Sequence, residues 1–197
     1  GRRLRYVLQR INHNIFKNPD GLMENVERVC RHTQAKLQAA GAADASRRAL
    51  TLVPTKAGRG WHTDPAGNRW RCYVFVEGAT GHDIIRNADQ AFQAAKAFGA
   101  FQALVADLPG GRLVETIPYF HHTPTRFANF QTALAKDAHG RAAQALPEIA
   151  FALARAHEVG VIADAMARGD IPERVTHNDT KLNNVLLDNE TQEGICV

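Results

Sequence analysis

The sequence predicts an α+β fold, with short strands in roughly the first 77 residues and helices through most of the remainder. Three observations predict it. Residues 3–11 alternate side chains in the two-residue period of strands, and residues 70–76 read as a buried strand. Asn18 and Asn87 each stand before a long stretch with apolar residues at helical spacing. A polar loop at residues 176–184 runs directly into the apolar residues Val185, Leu186 and Leu187. Residues 1–77 are expected to form one lobe and residues 78–197 a second, mainly helical one.

In the first strand Leu4, Tyr6, Leu8 and Arg10 fall on one face and Arg5, Val7, Gln9 and Ile11 on the other. Asn18-Pro19-Asp20 then starts a helix: a capping side chain, a proline whose missing N–H costs nothing there, and an acid near the positive dipole end. Leu22, Val26, Val29, Cys30 and Leu37 give it one buried face, and Gly41 ends it. Residues 50–54 read as another strand, and residues 56–68, rich in Gly and polar residues, as a hairpin loop. Gly58-Arg59-Gly60 lacks the third glycine and the following helix of a phosphate loop, so a turn is the better reading. A strand from Trp70 ends near Glu77-Gly78.

Asn87 caps a long helix reaching Leu108, with Phe98, Phe101, Val105 and Leu108 on one face, and Pro109-Gly110-Gly111 breaks it. In Tyr119-Phe120-His121-His122-Thr123-Pro124, Thr123 is expected to cap a helix with Pro124 in its first turn. The adjacent His121 and His122 point opposite ways from an extended chain, a poor arrangement for one metal. Helical spacing resumes from Arg141 to Ala167, with Pro147 opening a new turn. His157-Glu158 begins a zinc-protease pattern that fails, because Val161 stands where the second His is needed.

The chemistry is concentrated in Thr176-His177-Asn178-Asp179-Thr180-Lys181-Leu182-Asn183-Asn184. A His, an Asp two residues on and an Asn five beyond that Asp reproduce the catalytic-loop spacing of kinases. Phosphoryl transfer needs a carboxylate to orient and deprotonate the attacking hydroxyl, oxygen ligands for Mg²⁺, and cations beside the moving phosphate. Asp179 suits the first task. The Asn184 amide oxygen is a hard, neutral ligand for Mg²⁺, and Lys181 can stand beside the phosphate as a point charge. His177 fits a bracing role better than a chemical one. A polar loop that merely precedes a hairpin would use the same residue types; the buried-type strand that follows at once favours the chemical reading.

This loop resembles that of the aminoglycoside phosphotransferase and choline kinase family, whose members phosphorylate small molecules on a protein-kinase-like fold. Within the family, Tyr6-Val7-Leu8-Gln9-Arg10-Ile11-Asn12, Leu22-Met23-Glu24-Asn25, Tyr119-Phe120-His121-His122-Thr123 and the loop look like the N-acetylhexosamine kinase branch. The resemblance implies a small, partial N-terminal nucleotide-binding lobe, a helical C-terminal lobe carrying the catalytic loop, and ATP with Mg²⁺ as cofactors. It also implies a phosphate-gripping Lys on the first strand, where this chain has Gln9 and Arg10. Either could take part of that role, and a surface Arg on an edge strand is the plain alternative for Arg10. Glu24, with Glu27 as neighbour, is the candidate to pair with that cation, or else a solvated acid. Glu77 marks the hinge whose backbone would meet adenine. His121, His122 and Arg126 form a polar loop suited to touching the acceptor. A Gly-rich hairpin would precede Gly1 and a metal-binding Asp would follow Val197, so the chain is expected to be an internal fragment, inactive alone.

The implied reaction is ATP-dependent phosphorylation of a hydroxyl on a small polar molecule, with a sugar such as an N-acetylhexosamine the first candidate acceptor. The alternative is a non-catalytic kinase-like protein that binds a nucleotide or a partner. The net charge is +4, but the basic residues are scattered apart from Arg2-Arg3-Leu4-Arg5, and no aromatics interleave with a basic run, which argues against nucleic acid. No stretch approaches the roughly twenty apolar residues of a membrane span. Cys30, Cys72 and Cys196 are odd in number and far apart, which suggests neither zinc nor a disulfide framework and fits a reduced, cytoplasmic setting.

Overall fold

The computed structural model describes residues 4–197, in two compact units: residues 4–116 with 175–197, and residues 117–174. Arg2 and Arg3, of the basic run and the expected start of the first strand, lie outside the described residues. The first unit holds residues from both sides of the lobe boundary expected at residue 77.

The first unit opens with β1 (Tyr6–Arg10), followed by α1 (Pro19–Ala39) and a short α2 (Ala45–Arg48). Next come β2 (Trp61–Thr63), β3 (Arg69–Val74), β4 (Ala79–Gly81) and α3 (Ala88–Val105). After the second unit the chain returns with β5 (Leu186–Asp188) and β6 (Gly194–Cys196). Two three-stranded antiparallel sheets result, in the orders β1-β3-β2 and β4-β5-β6. β1 pairs in register with β3, Gln9 opposite Arg71 and Arg10 opposite Trp70.

The caps are made by the residues that local chemistry selects. Asn18 Oδ1 accepts from the Gly21 amide at 2.9 Å, and Asn87 Oδ1 from the Gln90 amide at 2.9 Å. Both helices match their expected starts, although α3 ends at Val105 rather than Leu108. Residues 50–54 correct the sequence expectation. They do not form a strand but a single bridge, Leu52 to Tyr73, with Val53 N donating to Cys72 O at 2.8 Å and Val74 N donating to Thr51 O at 2.9 Å. Pro54 has no N–H with which to extend that ladder.

α1 is fastened to the segment after α3. Asn25 Nδ2 donates to Val114 O at 2.7 Å while its Oδ1 accepts from Val114 N at 2.8 Å. Arg28 adds bonds to the carbonyls of Pro109 (2.9 Å) and Gly111 (2.8 Å).

The second sheet rests on α3. Ala94 and Ala97 pack with the buried Val185 and Leu187, and Phe98, Leu182 and Val197 close the cluster. Gly194 makes the approach possible: a Cβ there would stand 2.5 Å from Gln93 O and 2.9 Å from the Ala97 Cβ. Leu187 is 1% exposed, so Leu187→Ala should cost about 2–5 kcal/mol of stability, read as a lower urea midpoint with an unchanged slope.

A second fastening joins α2 to one end of this sheet, where Ala79 stands opposite Asp188. The Arg47 guanidinium donates to Glu77 O (3.0 Å) and Gly78 O (3.3 Å) and pairs with Asp188 Oδ2 at 2.9 Å. Asp188 also accepts from the Glu190 and Thr191 amides, each at 2.9 Å. The Thr191 amide and the Arg47 cation hold its carboxyl far below the usual carboxylate range.

The second unit is helical: α4 (Thr123–Lys136), α5 (Leu146–Ala154) and α6 (Val161–Arg168), with 3-10 turns at Ala142–Gln144 and Ala156–Glu158. His122, not Thr123, occupies the cap of α4, its Nδ1 accepting from Thr125 N at 3.3 Å and meeting Thr125 Oγ1 at 2.8 Å. Thr123 instead begins the helix, with Pro124 in the first turn as expected.

Candidate active site

The loop before β5 is held by its own polar groups. Asn178 takes a left-handed conformation (φ 63°), which Asn tolerates better than most residues. Its Oδ1 accepts from the Thr176 hydroxyl at 2.5 Å. The Asp179 amide donates to His177 Nδ1 at 3.3 Å, and the Lys181 amide donates to Asp179 O at 2.9 Å. A 3-10 turn, Leu182–Asn184, then delivers the chain to the buried Val185.

Asp179, Lys181 and Asn184 meet within this bend. Both protons of the Asn184 amide turn inward, Nδ2 donating to Asp179 O at 2.7 Å and to Asp179 Oδ2 at 2.8 Å. Lys181 Nζ lies 3.3 Å from the same Oδ2. Asp179 Oδ1 makes no hydrogen bond or ion pair among the described residues, and the side chain is 60% exposed. One carboxylate oxygen is therefore fixed and the other faces outward. The Asn184 bond first, then Lys181, hold the Asp179 carboxyl below its ordinary range.

His177 is braced rather than exposed. The rings of Phe98 and Phe101 meet it edge-on at 5.3 and 6.0 Å between centroids. Burial lowers its pKa, so the imidazole is neutral at pH 7. Its Nδ1 accepts from Asp179 N, which leaves the proton on Nε2. The aromatics of α3 thus set the loop in place through His177.

The loop borders an open cleft of about 690 Å³ whose other walls come from β1, β3 and α1. Val7 and Gln9 face it from β1, Arg71 and Tyr73 from β3, and Asn25 and Val26 from α1; Thr176, His177 and Asn184 close the loop side. Phe75, Val76 and Ala79 line it where β3 leads into β4. Of the three grouped side chains Asn184 lines the cleft, and Asp179, which Lys181 approaches, is bonded to its amide; a half-enclosed cleft with a carboxylate, amide and ammonium joined in this way suits phosphoryl transfer.

A family model, APH, the phosphotransferase enzyme family, matches residues 2–197. The chain belongs to the phosphotransferase enzyme family. Membership makes it a kinase-type enzyme on a protein-kinase-like fold, consistent with the mixed helix and sheet of the structure. Kinases of the family generally use ATP and Mg²⁺.

The remaining candidates in this phosphotransferase are distributed unevenly. Gln9 lines the cleft, but Arg10 is not among the lining residues and stands on the opposite face of β1. Glu24 is exposed on α1 and makes no bond to β1, while its neighbour Asn25 lines the cleft. Glu27 turns to Gly60, accepting from its amide at 2.6 Å. The Glu77 side chain pairs with Arg5, whose Nε donates to Oε1 at 2.8 Å, and its carbonyl is taken by Arg47. His121, His122 and Arg126 belong to the helical unit, where Arg126 donates to Phe120 O at 3.1 Å and His121 meets the Phe120 ring at 4.7 Å.

Sequence reasoning missed Arg71. The signal was present: in a strand of buried type, the two-residue period puts this cation on the face of Tyr73 and Phe75. Burial pushes the Cys30 thiol up to about 11 and the Tyr73 hydroxyl up to about 12, while the nearby Arg71 charge opposes both shifts.

The donor set fits a magnesium–nucleotide complex. With its amide protons committed to Asp179, Asn184 has only its oxygen to offer a cation. Among the described residues no three His, Cys, Asp or Glu side chains gather around one point. A hard ion here would share its shell with phosphate and water oxygens, as Mg²⁺ does. The described residues include no helix long and apolar enough to cross a membrane.

Proposed function

We propose that the full-length protein transfers the γ-phosphoryl group of ATP to a hydroxyl of a small polar acceptor, a sugar such as an N-acetylhexosamine first. The observation that carries this reading is the division of labour on Asp179: Oδ2 pinned by Asn184 and Lys181, Oδ1 free to receive a proton. In the step, the acceptor oxygen attacks the γ-phosphorus and its proton passes to Asp179 Oδ1. The bond from that phosphorus to the β–γ bridging oxygen breaks, and ADP leaves with the electron pair. Lys181 lies where it can offset charge on the phosphoryl oxygens. Mg²⁺, when bound through Asn184, would neutralise charge on the phosphates.

The sugar assignment is supported by the likeness of Tyr6-Val7-Leu8-Gln9-Arg10-Ile11-Asn12 and Tyr119-Phe120-His121-His122-Thr123 to N-acetylhexosamine kinases. His121, His122 and Arg126 are the residues proposed to meet the acceptor. A cytoplasmic setting is supported by three free thiols, two of them, Cys30 and Cys196, buried.

The test is ADP release by the full-length protein with N-acetylhexosamines, choline and aminoglycosides in turn. Release with an N-acetylhexosamine supports the proposal, and release with choline or an aminoglycoside alone moves the acceptor class. Nucleotide binding without release for any acceptor would favour the non-catalytic alternative. Because the Asn184 bond, then Lys181, hold the Asp179 carboxyl below its ordinary range, Asp179 should stay ionised from neutral pH down through mildly acid conditions. Protonation of the Asp179 carboxyl above the ordinary carboxylate range, followed by NMR, would contradict the geometry.

A further inference from the structure

We propose that Arg71 on β3 grips a phosphate of the nucleotide, since the cleft face of β1 carries no cation, and that Gln9 is the positioning residue that aims it. This rests on the phosphoryl-transfer reading and adds a residue to the same site. Arg71 and Gln9 are directly opposite in the β1–β3 register, and both face the cleft. Arg71 Nε donates to Gln9 Oε1 at 3.1 Å, and the guanidinium lies 5.2 Å from the centre of the Tyr73 ring.

Arg71 has only neutral partners, and unlike Arg28, whose guanidinium is spent on backbone carbonyls, it lines the cleft. Arg5, Arg47, Arg48 and Arg69 each pair with a carboxylate: Glu77, Asp188, Asp44 and Asp20. Among the described residues Arg71 pairs with none; it holds only an amide oxygen and an aromatic face. A half-buried guanidinium is costly to leave without an anion. Its Nε is used to fix its direction, which leaves the two terminal nitrogens for the fork-shaped contact that Arg makes with phosphate. The β1–β3 wall of the cleft therefore presents a pre-aimed positive group, and no carboxylate among the described residues pairs with it.

The experiment is titration of the full-length protein and its variants with ATP, ADP and adenosine, with Mg²⁺ held constant. Arg71→Met should weaken ATP about 10- to 100-fold, the worth of a charge-assisted phosphate contact, and leave adenosine within a factor of two or so. Arg71→Lys should recover part of the loss. Gln9→Glu should also weaken ATP and not adenosine, because a carboxylate at that position quenches the Arg71 charge while strengthening its pairing. Equal losses for ATP and adenosine in Arg71→Met would make Arg71 structural and overturn the inference. So would unchanged ATP binding, which leaves the phosphoryl-transfer reading standing. If the unsubstituted protein binds no ATP, that reading falls and this inference falls with it.

Discussion

Asp179→Asn is expected to lower acceptor-dependent ADP release by about 10³-fold or more in the full-length protein, at the upper end of what a positioned general base contributes. The substitution keeps the volume of the side chain and an oxygen that can still accept from Asn184, so the bend should survive. What it removes is the outward Oδ1 carboxylate oxygen, the group placed to take the acceptor proton. The affinity for ATP should change little, since Asp179 is assigned to the acceptor and not to the nucleotide. The loss should appear in kcat and kcat/KM together, the pattern of an interaction made only in the transition state. Turnover within a factor of ten of the unsubstituted protein would remove Asp179 from the chemistry.

Asn184→Ala is expected to raise the Mg²⁺ concentration for half-maximal rate by about 10- to 100-fold and to lower the rate even at saturating metal. Two effects combine here because one side chain does two things. Its oxygen is the proposed ligand, and its Nδ2 makes the 2.7 and 2.8 Å bonds that steady Asp179. Asn184→Asp separates them. A carboxylate still offers oxygen to a cation but donates nothing to Asp179 and adds a like charge beside it. The folded-state Asp179 pKa, now depressed by the Asn184 bond before any other cause, should rise. The acid limb of kcat/KM should then move to higher pH in Asn184→Asp while the Mg²⁺ requirement stays closer to that of the unsubstituted protein. A limb that stays put would mean that Asn184 does not tune Asp179.

The parts legible in the sequence were those that local chemistry decides. Asn18 and Asn87 announce their helices because a capping side chain acts within three residues. The strand around Gln9 is visible because alternation persists over five residues, and the one around Arg71 because a short run of mostly apolar and aromatic residues ends at Glu77-Gly78. β4 was not legible: Ala79-Thr80-Gly81 has no strand preference, and the segment is extended only because it pairs with Thr80 opposite Leu187. Residues 50–54 looked like a strand from their β-branched content, but Pro54 and a single bridge show that tertiary pairing decides.

The bend itself was legible as a spacing, and its geometry was not. A pattern of His, Asp and Asn tells which side chains are present. It does not tell that Asn184 points its protons at Asp179, or that Phe98 and Phe101 hold His177. Pairing in the nucleotide wall was harder still. The expected acid, Glu24, lies one residue from Asn25, the one that lines the cleft, and a helical step of about 100° separates adjacent side chains. Arg71 escaped notice because a cation near the start of a strand, two residues from Arg69, reads as a surface residue until the register sets it against Gln9.

The bend from His177 to Asn184 is the proposed meeting place of metal-bound triphosphate and an acceptor hydroxyl. Replacing Mg²⁺ by paramagnetic Mn²⁺ in the complex with ATP, and recording side-chain amide signals of the full-length protein by NMR, tests that placement most directly. The Asn184 side-chain amide should broaden beyond detection at substoichiometric Mn²⁺, and only when ATP is present. An Asn184 signal that stays sharp while amides elsewhere in the protein broaden would put the metal, and the reaction, at another site.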